Sequence, residues 1–255
     1  HLIQGSPLGY DVIGGARFYG IGNEYMGVLI GACCTGAGVF RELRDKKGDQ
    51  PMGWFVPLLF ALTLLVLAHP ALGAKVGGVI TATTAFVFFF VLMRKGRIRP
   101  RYFVAVGLLV IIFLTGVFLF DSIREVDSQS HMGLTVSLIR QNGLSELLLI
   151  MKRKISMNIR LIRYTIWTRV FLISLLIMTV LVFRPVGIFR EIAKKYPHVM
   201  KGLAAAIIGC ITALLVNDSG IVAAGTAMIY IAPPALLMVM DRLPYRKAEM
   251  RERNP

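Results

Sequence analysis

The sequence predicts an all-α fold, a polytopic bundle of transmembrane helices, and three observations predict it. Hydrophobic residues fill 56% of the 255 positions, and mean hydropathy is +0.67, above the usual apolar share of a soluble domain. Apolar stretches of bilayer length recur, and crossing a hydrocarbon core of ~30 Å takes about 20 helical residues. Short clusters of Lys and Arg separate those stretches, as cytoplasmic loops do under the positive-inside rule. The alternating ten-residue pattern of an outer-membrane barrel is absent, so helices must satisfy the backbone in lipid.

Four clusters hold most of the 29 basic residues: Arg41, Arg44, Lys46 and Lys47; the run from Arg94 to Arg101; Arg184 to Lys201; and Arg242 to Arg253. Placing all four in the cytoplasm requires an even number of crossings between neighbours. A first crossing over 20–40 enters from outside. Stretches 53–69 and 76–93 form a hairpin whose tip, 70–75, lies outside. The stretch 103–120 exits and 165–183 returns. The stretch 202–240 is too long for one crossing. Asn217-Asp218-Ser219-Gly220 divides it into an outgoing helix, 202–216, and a returning one, 221–240. The outgoing helix is short for a full span, which sets the break inside the bilayer, where protein or a wet cavity must cover it. The total is about seven spans with the C-terminus cytoplasmic.

Between the fourth and fifth spans, Leu144, Leu148, Met151, Ile155, Ile159 and Ile162 recur at helical spacing. Lys152, Arg153, Lys154, Arg160 and Arg163 fall largely on the other side. That pattern predicts an amphipathic helix over 144–163, lying in the membrane interface. No repeat or linker divides the chain, so residues 1–255 read as one transmembrane domain. Its first residue is His1, which predicts the C-terminal part of a longer protein. The net charge of +15 belongs to orientation-setting loops and not to nucleic-acid binding. Cys33, Cys34 and Cys210 lie in apolar segments as small packing residues, without disulfide or zinc spacing.

Three polar clusters thread to the face away from the cytoplasm. The first, 14–25, carries Arg17, Asn23 and Glu24 among glycines. A charge in or near the apolar region costs several kcal/mol unless paired or hydrated, and Arg17 and Glu24, seven apart, share one helix face. The second, 121–131, holds Asp121, Arg124, Asp127 and His131; an imidazole near carboxylates can serve as general base or metal ligand. The third is Asn217-Asp218-Ser219-Gly220, where Ser219 suits an N-cap. There the returning helix offers free N–H groups to an anion. Lys75 adds a cation at the outer mouth, and Gly27/Gly31 and Gly73/Gly77 are small-xxx-small pairs.

The strings over 15–29, 121–133 and 214–225, which carry GARFYGIGNE, DSIREVDSQSH and NDSG, resemble an uncharacterised family of large bacterial polytopic membrane proteins. The resemblance implies a C-terminal membrane half in a bacterial cytoplasmic membrane and brings no activity with it.

Three functions fit these residues. In the first, the protein binds or transports an anionic, lipid-linked envelope component, with Arg17, Asn23, Glu24, Lys75, Arg124, Asn217 and Ser219 as substrate-binding residues and membrane lipids as partners. In the second, it is a membrane-embedded transferase or hydrolase at the outer leaflet, with Asp121, His131 and Asp218 catalytic. No cofactor is identifiable; a divalent cation on oxygen ligands would be Mg²⁺, Mn²⁺ or Ca²⁺. In the third, it anchors a missing N-terminal portion. No P-loop, nucleophile elbow or CxxC pair is present.

Overall fold

The computed structural model describes residues 20–48, 53–69, 72, 73, 75–94, 166–217 and 219–242, with single positions at 108, 149, 152, 156, 159 and 163. Among the described residues every regular element is an α-helix: α1 (Asn23–Lys46), α2 (Phe55–Ala68), α3 (Val76–Met93), α4 (Ile166–Phe183), α5 (Ile188–Lys195), α6 (Pro197–Val216), α7 (Gly220–Met228) and α8 (Ala232–Met240). The four helices α1, α3, α6 and the continuous α7–α8 stretch are long and apolar enough to cross a membrane; the bent pair α4–α5 brings the number to five. Among the described residues that is fewer than the seven expected of the whole chain. α2 is apolar but has 14 residues, and the expected span over 103–120 lies outside the described residues except for helical Leu108.

The helix ends depart from the hydropathy pattern. α1 runs past Phe40 into the basic cluster and ends at Lys46, where cations suit the negative end of the helix dipole. α6 starts at Pro197 rather than Gly202 and has 20 residues, a full span. The expectation of a break within the bilayer at Asn217 therefore loses its premise. Pro at the first turn is compatible with a helix start because its missing N–H would be unbonded there anyway. Two further N–H groups of that turn, on His198 and Val199, donate to Glu42 Oε2 of α1 at 2.8 and 3.4 Å. α5 was not expected at all. It follows a 59° bend at Gly187, whose φ of +52° favours glycine. In the predicted interfacial helix, Leu149, Lys152, Ser156, Ile159 and Arg163 are helical and exposed; its other residues lie outside those described.

The core is built where small residues let backbones meet. α1 packs most extensively on α6 and α7, and α3 on α6. A Cβ on Gly27 would strike the Ala223 carbonyl, one on Gly31 would lie 2.9 Å from the Ala227 carbonyl, and one on Gly38 would lie 3.1 Å from the Gly202 Cα. The Gly27/Gly31 pair thus meets Ala223 and Ala227 at matching four-residue spacing, the close approach that small-xxx-small patterns permit in membrane helices. Cys34 and Cys210 are fully buried and Cys33 nearly so, in keeping with packing roles. α2 lies against α3 through Phe60, which stacks on Phe86 at 3.9 Å and meets Phe89 edge-on at 5.2 Å.

These contacts fix the directions of the chain. α1, α3 and α7–α8 run parallel, since Gly27 meets Ala223 and Met26 lies near Gly78. α6 runs against them, with His198 at the C-terminal part of α1 and Asn217 at the start of α3. One end of the bundle therefore gathers the N-termini of α1, α3 and α7. The other gathers basic residues: Lys46 lies over the Tyr196 ring at 4.2 Å, and Lys195 Nζ is 3.9 Å from Asp241 Oδ2.

Candidate functional site

The end that gathers three helix N-termini also gathers the candidate residues that the structure describes. Each N-terminus carries unsatisfied N–H groups and a fraction of a positive charge. The turn that leads into α3 is held by its own backbone: Gly73 N–H donates to the His69 carbonyl at 3.1 Å, and Lys75 N–H to Leu67 at 3.0 Å. The entry to α1 is tied to that turn by Ile21 N–H, which donates to the Gly73 carbonyl at 3.2 Å. Gly20 has a φ of +78°, and a Cβ there would strike the same carbonyl. Only glycine accommodates both demands.

Among the described residues, Lys75 is the buried cation of this end. It stands at the N-cap position of α3 and is 7% exposed. Its aliphatic stem folds over the first turn, so that a Cβ on Gly78 would lie 3.2 Å from Lys75 Cγ and 3.1 Å from Met26 Sδ. The absence of a side chain at Gly78 thus makes room for the lysine and for the α1–α3 contact together. Burying an ammonium is costly unless polar groups surround it. Lys75 was expected at the rim; it belongs to the interior.

Asn217 ends α6 and is 4% exposed. Its Nδ2 donates to Thr81 Oγ1 at 3.1 Å and lies 3.3 Å from the Ala213 carbonyl. Thr81 in turn donates to the Gly77 carbonyl at 2.7 Å. The Asn217 side chain lies directly against Gly77, where a Cβ would collide with its Oδ1. The α6–α7 turn is equally tight, because a Cβ on Gly220 would strike the Ala213 carbonyl. Ser219 occupies the N-cap position of α7 but makes no side-chain capping bond. That corrects the expectation that its hydroxyl caps the helix; the backbone carbonyl of Ser219 instead accepts from Val222 N–H at 3.0 Å.

Asn23 and Glu24 open α1 and are half-buried. The Glu24 carbonyl accepts from Thr226 Oγ1 at 2.8 Å, joining α1 to α7 about two turns below the Ser219 turn. The structure therefore brings Asn23, Glu24, Lys75, Asn217 and Ser219 to one end. Arg17, Asp121, Arg124, His131 and Asp218 lie outside the described residues, and with them the Arg17–Glu24 pair and the proposed acid–base group. Sequence reasoning missed Thr81, Thr226 and Glu42. A threonine in an apolar helix also bonds its own preceding turn, so nothing in the sequence marks those that reach another helix. Among the described residues no three His, Cys, Asp or Glu side chains are grouped so as to hold a metal ion. Compared with known proteins, the chain matches no family model, no curated protein and no solved structure.

Proposed function

We propose that this chain is a multi-pass protein of a bacterial cytoplasmic membrane, crossing about seven times, that binds and moves an anionic, lipid-linked envelope component. In this reading the three-N-terminus end faces away from the cytoplasm and the basic end faces inward, with the C-terminus inside. The observation that carries the proposal is the buried Lys75 set among the N-termini of α1, α3 and α7. Positive helix ends and an ammonium in low dielectric favour a phosphate or carboxylate over a neutral ligand. Asn217 adds an amide fixed by Thr81. Arg17, Arg124 and the basic face of the 144–163 segment would collect anions toward this end. The resemblance to bacterial polytopic membrane proteins is consistent with such a location.

The test is accessibility and protection. Ser219→Cys in intact cells should react with a membrane-impermeant maleimide added from outside, and a polyprenyl phosphate should slow that reaction. Lys75→Gln should abolish the protection while leaving the unprotected rate unchanged. Transport predicts that substrate also exposes the position to reagent on the inner side. Labelling from the cytoplasmic side alone, with or without the lipid phosphate, would overturn the orientation and the proposal with it.

A further inference from the structure

A second site lies toward the opposite end of α1. There Ala32 and Gly36, four residues apart, form the floor of an open apolar groove rimmed by Val39, Phe40, Leu43 and Tyr230, with a volume of about 450 Å³. Gly36 is exposed, and a Cβ built on it would meet nothing within 4 Å, so the space above it is open. A second pocket of about 370 Å³ shares Phe40 and Leu43 with the groove and adds Arg44 and Lys47. The Arg44 guanidinium lies 5.8 Å from the centre of the Phe40 ring, which places a cation where the apolar channel ends.

We infer that this groove holds an anionic phospholipid, with one acyl chain along Ala32 and Gly36 and the phosphate between Arg44 and Lys47. Two observations and one general rule select that occupant. The groove follows a helix long and apolar enough to span a membrane, so the medium beside it is hydrocarbon. Its lining changes from apolar to cationic over two helical turns, the order in which a phospholipid changes from chain to phosphate. Basic pockets at the ends of membrane helices are recurrent sites for anionic headgroups. The site is separate from the Lys75 end and stands whether or not that reading does.

The experiment uses the full chain in nanodiscs of phosphatidylcholine, with phosphatidylglycerol titrated in. Retained lipid is read by native mass spectrometry and stabilisation by thermal unfolding. The wild type should retain phosphatidylglycerol selectively. Gly36→Leu fills the groove and also removes a helix-weakening glycine, so loss of lipid cannot be blamed on failure to fold; retention should disappear. Lys47→Gln should weaken retention about fivefold, whereas Lys194→Gln, at the same end but outside the groove, should not. Equal effects of Lys47→Gln and Lys194→Gln, with Gly36→Leu silent, would reduce the interaction to diffuse charge and overturn the assignment. Disulfide-linked dimers of Gly36→Cys, in a background without Cys33, Cys34 and Cys210, would give the groove to a second copy and overturn it equally.

Discussion

Thr35 donates its hydroxyl to the Tyr230 carbonyl across 2.9 Å, and that carbonyl is the acceptor that Pro234 leaves empty. In an uninterrupted helix the N–H of residue 234 would bond to residue 230; proline has none. The helical bonding tightens there, with Ile229, Tyr230 and Ile231 turning on short three-residue bonds between α7 and α8. In hydrocarbon an unsatisfied carbonyl is costly, and a threonine from the neighbouring parallel helix supplies the missing donor. The two prolines stand in the sequence at 233 and 234; the donor 195 residues away does not show there.

Thr35→Val keeps the shape and removes the donor, so it should cost about 1 kcal/mol. Pro234→Ala restores the lost N–H, and in its presence Thr35→Val should cost markedly less. Thermal unfolding of the two single variants and the double variant measures this coupling. Strict additivity would show that the hydroxyl does not serve that carbonyl.

Gly27→Ala should destabilise by about 1–3 kcal/mol, the usual range for overpacking, because its methyl group runs into the Ala223 carbonyl. Gly36→Ala, on the open face of the same helix, should be neutral or slightly stabilising. Paired unfolding curves for the two variants check the direction of the α1–α7 contact; similar losses would place the seam wrongly.

Glu42→Ala should lower stability by about 1–3 kcal/mol, since it strands the His198 and Val199 N–H groups at a buried helix start. Glu42→Gln retains an acceptor oxygen and should lose less, because only the charge is removed. Hydrogen exchange of the first turn of α6 should quicken in Glu42→Ala; unchanged protection there would refute the capping role.

Asn217→Leu should cost about 1–2 kcal/mol through loss of the bond to Thr81. Thr81→Val should cost a similar amount, and the double variant little more than either alone. Asn217→Leu should also weaken protection of Ser219→Cys by polyprenyl phosphate, whereas Thr81→Val should weaken it less. Full protection in both variants would leave Asn217 a structural residue only.

Among the described residues, the helices that hydropathy marked are largely where the sequence put them, because a run of about 18 apolar residues has few other fates. Their ends were hidden by composition. The last turn of α1 and the first of α6 carry Arg, Lys, His and Pro, which read as loop until Glu42 is seen bonding to His198 across the two helices. α5 was lost for a similar reason, since eight residues with three cations resemble a solvated connection. At the candidate site, parity between basic clusters was enough to group Asn23, Glu24, Lys75, Asn217 and Ser219 at one end. It was silent on depth, so Lys75 was assigned to the rim. The roles of Thr81 and Thr226 depend on which helix lies opposite, and a periodic pattern in one segment does not encode its neighbour.

Both extremities of α6 are tied to different partners by buried side chains: to α1 through Glu42 and to α3 through Asn217. A rod pinned at two points can neither roll about its own axis nor slip by a turn without breaking one of the pins. Helices α1, α3 and α6 therefore form a chassis. Helix α7 is keyed to the same frame, by the seating of Gly27 on Ala223 and by the bond from Thr226 to the Glu24 carbonyl.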